Sequence, residues 1–528
     1  MTDRTLNDVF RRACTTFPDH VVIRNPGPVP CEPAEVTYEE LRALVDRTAA
    51  GLASLGVGKG DRVALISRPR IRFAAATFAA LRLGAWVMPL DPSLTREELA
   101  ALFAHAEPKA ALGEGDVGLR IPEETCPYID LDDARGRTFG SLLGEGPLPD
   151  VVVEASDTAF LAYTSGTTGD PKGVMLSHGN VVADLANGTQ VIAMLADDVL
   201  LSIAPWHHIL GLVACLVLPI YGGATAMYTD DYRRIAELMV EHRVSIFVGV
   251  PKLYHALYER LRAKAQGTLA GRALWRVAPR MVGRRVKQRL TGGRLRFFVS
   301  GSAPLDPRVA LGFRRLGIGM MEGYGLTETS PVVSLCLPFG KKAGSVGRPI
   351  PGVEARVDRP GADGVGELVL RGPIVMQGYY KNAAATARAI DPDGWFHTGD
   401  LAALDEEGEI FLKGRVKNVI VLDTGKNVYP EEIEWELGRI PYVEEVLVRA
   451  GNAGVEAVVF PNRERLAADG LLERVREAIW ESIRRAQTRL APYKRLRSIA
   501  QLILVDRPFP KTSTLDIKRH LLRDDAES

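Results

Sequence analysis

A chain of 528 residues is too long for one hydrophobic core and predicts at least two domains. Its 46% hydrophobic and 25% charged residues are those of an ordinary soluble globular protein, and a formal charge of +1 excludes any global attraction to nucleic acid. The first residues carry acidic groups early and no apolar run of signal length, and no stretch reaches about 18 uninterrupted apolar residues, so a cytoplasmic, non-spanning protein is expected.

Taken in order, residues 37–55 show the apolar spacing of an amphipathic helix, with Thr37 as its cap and Glu40 three residues on. A strand is expected at 62–67, a helix at 72–83 and a strand at 85–89, the alternation of an α/β sheet with helices on its faces. Apolar Thr158–Tyr163 reads as a strand running into TSGTTGDPKG, residues 164–173. There the glycines free backbone N–H groups to turn inward, Thr164, Ser165, Thr167 and Thr168 bring hydroxyls, and Lys172 brings positive charge, which suits a polyphosphate. Gly173 follows Lys172, so no hydroxyl for magnesium sits where a nucleotide-triphosphate loop has one. The metal ligand must come from elsewhere.

Further strand and helix segments are expected at 199–205, 235–242, 244–250 and 295–301. From Arg260 to Arg296 the text holds twelve Lys and Arg and no acid. Leu274, Val277, Ala278, Met281, Val282, Val286 and Leu290 fall near helical spacing, with Pro279 breaking the helix. Such a segment is a solvated face over a core stripe, a dock for an anionic membrane surface, or an attractor of phosphorylated ligands. Beyond Leu368 the strands shorten, and past Lys417 a small α+β unit follows, so the boundary is placed to give domains 1–415 and 416–528. The five cysteines are dispersed and without a CxxC pair, which suggests neither disulfides nor structural zinc.

Three further stretches supply what the first loop lacks. Gly323-Tyr-Gly-Leu-Thr-Glu328 sets a ring, a hydroxyl and a carboxylate beside Gly323 and Gly325. Tyr324 suits a nucleobase, Thr327 a phosphate and Glu328 the missing magnesium. Asp400, after Gly399, suits ribose hydroxyls, and Arg415 offers a fork-shaped donor.

With these motifs the chain resembles the adenylate-forming acyl-CoA synthetases, the family that also includes adenylating luciferases and peptide-synthetase adenylation domains. It looks most like the long-chain and medium-chain fatty acyl-CoA synthetases. The resemblance runs from Thr37-Tyr-Glu-Glu-Leu41 to Pro510-Lys-Thr512 through Phe298-Val-Ser-Gly-Ser-Ala-Pro-Leu305, Gly323-Tyr-Gly-Leu-Thr-Glu-Thr-Ser-Pro331, Gly378-Tyr-Tyr-Lys-Asn382 and Gly425-Lys-Asn-Val-Tyr-Pro-Glu-Glu-Ile-Glu434. It implies a large N-terminal domain of αβαβα sheets plus a β-barrel, with a mobile α+β C-terminal lid. It also implies a fatty acid, ATP, Mg2+ and coenzyme A, and a reaction through acyl-AMP. Ser165, Gly166, Thr167, Thr168, Gly169 and Lys172 would hold the β- and γ-phosphates, Glu328 magnesium and Thr327 the α-phosphate. Tyr324 with Ser302, Ala303 and Pro304 would enclose adenine, and Asp400 and Arg415 would take the ribose. His207 would stand beside the acyl and pantetheine channels, and Lys417 would be the hinge. Gly425 and Lys426 fall in the matching text after it.

One position departs. The resemblance places a lysine, bridging the carboxylate and the α-phosphate, where Pro510-Lys-Thr-Ser-Thr-Leu-Asp-Ile-Lys-Arg519 has Asp516. An anion there repels both groups it should join. The chain then either uses another cation, Lys518 or Lys511, or is impaired in adenylation, or is an acyl-AMP or CoA binder without turnover or a ligase that stops at acyl-AMP.

Overall fold

The computed structural model describes residues 3–122, 125–164, 172–301, 303–340, 342–422, 426–451, 454–511, 517 and 519. The chain forms two compact units. Unit 1 is Met1–Ala355 with Leu370–Phe396 and Gly408–Ile410, and unit 2 is Arg356–Val369, His397–Glu407 and Phe411–Ser528. This division is discontinuous, unlike a single cut between 415 and 416, and it puts Asp400 and Arg415 in unit 2.

Unit 1 contains helices α1 (Tyr38–Ser54) and α2 (Ile71–Arg82) and strands β1 (Arg62–Ile66), β2 (Trp86–Leu90), β3 (Ala110–Gly113), β4 (Thr158–Thr164) and β5 (Lys172–Ser177). Then come α3 (His178–Val191), β6 (Val199–Ser202), β7 (Ile246–Gly249), α4 (Pro251–Gln266), α5 (Leu269–Val277), α6 (Pro279–Thr291), β8 (Phe297–Ser300), β9 (Gly319–Tyr324) and β10 (Gly378–Tyr379). The cap expected on α1 forms: Glu40 N–H donates to Thr37 Oγ1 at 3.2 Å and Thr37 N–H to Glu40 Oε2 at 2.8 Å.

Two sheets organise the unit. One runs β10-β5-β4-β2-β1-β3 and ends on Tyr128–Asp130, with β1 to β4 parallel and β5 turning back antiparallel to β4. The other holds the parallel run β9-β8-β7-β6. Their strands are short apolar runs buried along most of their length, as parallel strands covered on both faces require. Helix α2 is buried at ten of its 12 positions, which only a helix enclosed between layers can be. Its Phe78 stacks on Phe10 at 4.5 Å, and its Phe73 lies 5.8 Å from Trp206, ring centre to ring centre.

Arg70 sets the start of α2. It has no capping side chain of its own, and Glu32 supplies the cap, accepting from Ile71 N–H at 2.8 Å and Arg72 N–H at 3.1 Å. The Arg70 guanidinium, 3% exposed, meets Glu32 and Asp132 at 2.6 Å each. Its other donors reach Pro30 O at 2.8 Å and Leu131 O at 3.3 Å.

Unit 2 holds most of a four-stranded sheet, Glu354–Asp358, Gly366–Arg371, β11 (Phe396–Leu404) and β12 (Ile410–Arg415). Val443–Gly451, Gly454–Pro461 and Leu502–Leu504 form a second sheet. Its core joins Val448 and Val459 to Ile433, Ile479 and Ile483 of two helices, the expected small α+β arrangement. Among the described residues no helix is long and apolar enough to cross a membrane.

Arg70→Met should cost about 3–5 kcal/mol, because it strands the Glu32 carboxylate in the interior. Denaturant unfolding followed by tryptophan fluorescence measures this, and an unshifted midpoint would show that Glu32 finds another partner.

Candidate active site

The carboxyl ends of parallel strands are where an α/β sheet opens its loops to ligands. In unit 1 Asp91 follows β2, Thr164 ends β4, His207 follows β6, Ala303 and Pro304 follow β8, and Tyr324 ends β9. Side chains from the two edges meet, so the two sheets face one another across this place.

At one meeting point Tyr379 stands between Lys172 and Glu328. Lys172 opens β5 opposite Thr164 in the register, and β10 pairs with β5 through Gly378↔Met175 and Tyr379↔Val174. The Lys172 ammonium lies 5.1 Å from the centre of the Tyr379 ring. The Tyr379 hydroxyl donates to Glu328 Oε1 at 2.9 Å. Burial, helped by the Glu328 carboxylate, raises the phenol well above its ordinary pKa, so it remains a donor at neutral pH.

The loop bearing Thr327 and Glu328 is tied at several points. Met376 N–H donates to Glu328 O at 2.9 Å, and Ser330 Oγ donates to Ile374 O at 2.8 Å. One turn apart on α3, Asn180 donates to Pro373 O and Val375 O at 2.7 and 2.9 Å, while Asp184 Oδ1 accepts from Val332 N–H at 2.9 Å. Burial raises the Asp184 carboxyl well above the usual carboxylate range. Gly325 is required by space, since a Cβ there would lie 1.7 Å from Pro331 O. Tyr324 is 9% exposed, whereas Ala303 and Pro304 are exposed.

At the second meeting point His207 Nε2 lies 3.5 Å from Asp91 Oδ2. Asp91 Oδ1 accepts from Ser93 N–H and Oγ at 2.8 and 2.6 Å. Burial foremost, then the neighbouring His208, lowers the His207 pKa to about 4 against the opposing pull of Asp91. The ring is therefore neutral at pH 7, and among the described residues neither of its buried nitrogens has a hydrogen-bond partner. Buried polar atoms left open in this way mark a place for a ligand or water. The following turns, Leu210–Val217, are π-helical, and Gly211 admits the close approach of Pro205 O, 2.0 Å from where a Cβ would stand.

In unit 2 the structure pairs two of the predicted residues. Arg415 Nε, at the end of β12, lies 2.7 Å from Asp400 Oδ1 on β11. Asp400 N–H donates to Thr398 Oγ1 at 3.0 Å, and Thr398 Oγ1 donates to Leu368 O at 2.7 Å, which fixes that strand. Lys417 sits in the turn Val416–Asn418, and Lys426 lies 4.8 Å over the Tyr493 ring. Lys511 forms an ion pair with Glu445 and bridges backbone to Ile517. Ser165, Gly166, Thr167, Thr168, Gly169, Ser302, Gly425, Asp516 and Lys518 lie outside the described residues.

Glu328 suits magnesium, which takes one or two carboxylates and completes its shell with phosphate oxygens and water. Among the described residues it forms no ion pair, and no group of three or more His, Cys, Asp and Glu could hold a metal without a substrate. Sequence reasoning missed Tyr379 and Asp91. Tyr379 lies in the quoted stretch 378–382, but its role depends on strand pairing; Asp91 carries no motif of its own.

The chain matches the AMP-binding enzyme family over residues 10–380 and the AMP-binding enzyme C-terminal domain over 417–526. It is 30% identical over 457 residues to a long-chain-fatty-acid–CoA ligase of Mycobacterium bovis, covering 78% of this chain and 75% of the relative. It is 32% identical over 491 residues to a feruloyl-CoA synthase of Amycolatopsis sp, covering 88% and 89%. The solved structure of ATP-bound MatB from Rhodopseudomonas palustris superposes with a TM-score of 0.78 at 27% identity, covering 98% of each chain.

His207 is held below its unfolded pKa of about 6.5, so its contribution to stability is complete above that pH and is lost as pH falls toward 4. His178, also lowered to about 4 by burial, adds a loss of the same sign. In denaturant unfolding, His207→Asn should reduce the difference in stability between neutral and acid pH by up to about 3 kcal/mol. An unchanged difference would show that the ring takes up its proton without cost in the fold.

Proposed function

The chain belongs to the AMP-binding enzyme family as an AMP-forming acid–thiol ligase, and on that premise we propose that its acid is a fatty acid, activated by ATP and passed to coenzyme A. The observation that carries this reading is the meeting of Lys172, Tyr379 and Glu328 at one point of the facing sheet edges and of Asp91 with the neutral His207 at another. Support for an apolar acid comes from Trp206, Val248 and Met321, buried at the same edge as His207 and Tyr324, and from the long-chain relative.

In the first step a carboxylate oxygen bonds to the α-phosphorus and the bond to the α,β-bridging oxygen breaks, so pyrophosphate leaves with the electron pair. The barrier is electrostatic: an anion attacks an anion. Lys172 compensates charge on the β- and γ-phosphates, and Tyr379 fixes the Glu328 carboxylate through one oxygen, leaving the other toward the substrate. Glu328 would hold magnesium, which would supply further charge compensation to the phosphates. Thr327 contacts the α-phosphate, and Tyr324 with Ala303 and Pro304 takes adenine; within unit 2 the Asp400–Arg415 pair presents a carboxylate and a guanidinium suited to ribose hydroxyls. In the second step the coenzyme A sulfur, its proton given up to solvent water, bonds to the acyl carbon, and the bond from that carbon to the phosphate oxygen breaks, so AMP leaves with the electron pair. His207, neutral at pH 7, offers one N–H and one lone pair beside that carbon.

Asp516 makes the first step slow. The resemblance gives this position a cation, and an anion there repels the attacking carboxylate and the α-phosphate alike, while Lys511 is engaged by Glu445. Pyrophosphate release should be measured with carboxylates from acetate to palmitate. Asp516→Lys should raise it about a hundredfold or more with the preferred acid, while thioester formation from supplied acyl-AMP changes little. Equal rates in both proteins would show that another cation serves, and a preference for cinnamate-type acids would overturn the fatty acid assignment. Glu328→Gln should raise the magnesium concentration for half-maximal release by about tenfold, and indifference would remove the metal assignment.

A further inference from the structure

The segment from Arg260 to Arg296 has a surface that the ligase reaction does not use. Within it α5 and α6 meet at Ala278, and Pro279 starts α6 afresh, so the apolar stripe does not run through both helices in one phase. Trp275, Val282, Val286 and Leu290 turn inward and pack on the core that includes Phe298 and Phe313. Leu269, Val277 and Met281 turn outward, at 82%, 85% and 50% exposure. The helices are therefore already anchored by their inner faces, and these three side chains add nothing to that core.

Around them stand cations. Arg272 and Arg276 follow Leu269 at helical spacing, and Arg280, Arg284 and Arg285 flank Met281, all exposed. Among the described residues none of the five has a carboxylate partner within 4.0 Å; the Arg272 side chain donates instead to Gln266 O at 2.8 Å. The segment contains no acid to neutralise them.

We propose that the outer face of α5 and α6 docks on an anionic phospholipid bilayer, with Leu269, Val277 and Met281 entering the headgroup–acyl boundary and the arginines meeting phosphate headgroups. The apolar side chains decide for a bilayer. A soluble polyanion would satisfy the charge and leave them in water, whereas a lipid surface takes both and lets arginine stems lie along it. At nine and 13 residues, α5 and α6 are too short to span, so the contact is peripheral. The proposal is independent of which acid the ligase prefers.

Sedimentation of the full chain with vesicles tests it. Phosphatidylcholine vesicles containing about 30% phosphatidylglycerol should bind at least about tenfold more strongly than phosphatidylcholine alone, and raised salt should weaken the binding. Leu269→Asp/Val277→Asp and Arg280→Gln/Arg284→Gln should each lower the partition about tenfold with an unchanged thermal midpoint. All four residues are exposed, so either double variant should fold. Equal binding to neutral and anionic vesicles, or none to either, overturns the proposal. So does full binding by Leu269→Asp/Val277→Asp, which would mark a surface for soluble polyanions.

Discussion

An enzyme that joins an anionic acid to an anionic phosphate has to gather opposite charge and dipoles from parts of the chain far apart in sequence. Here that demand is met by turning the carboxyl edges of two parallel sheets toward each other. Asp91 reaches His207 across the divide, and Tyr379 reaches Glu328. Each pair takes one partner from either side, so the site exists only while the two sheets keep their relative position. Helix α2, buried almost all round, is seated by Glu32. Its Phe73 lies against Trp206, one residue before His207.

The same edge collects groups that a core selected for stability alone would leave out. Among the described residues His207 is buried with neither nitrogen hydrogen-bonded, and burial raises the Asp184 carboxyl well above the usual carboxylate range. Glu322, one residue before Gly323, is raised to about 7 by burial, with Arg314 at 3.8 Å opposing the shift only in part. Strain and unpaid desolvation of this kind concentrate where chemistry needs particular protonation states. The surrounding fold is ordinary by contrast: short apolar strands, a capping box on α1 and paired surface charges.

Much of this was legible in the residues. The cap at Thr37, the strand ahead of the phosphate-type loop, the break at Pro279 and the motif at Gly323–Glu328 all follow from local rules that need no partner. Tyr379 was not legible as a site residue because β10 is two residues long and gains its meaning from pairing with β5. Asp91 was hidden likewise, since only the meeting of β2's end with the turn after β6 brings it to His207. The outward turn of Val277 and Met281 escaped a single helical stripe because Pro279 resets the phase between α5 and α6. Periodicity reports one helix at a time.

Helix α3 holds both walls of the Glu328 loop by side chains that grip main chain: Asn180 takes two carbonyls and Asp184 one N–H. A clamp that recognises backbone is indifferent to the side chains of the segments it holds. Outside Gly325, Thr327, Glu328 and Ser330, whose space or side chains are themselves in use, the residues from 326 to 332 and 373 to 376 can therefore drift while the carboxylate stays in place. These held segments can then diversify by point substitution within an unchanged frame, whereas inserting a single residue between Asn180 and Asp184 would rotate one grip about 100° away from its target.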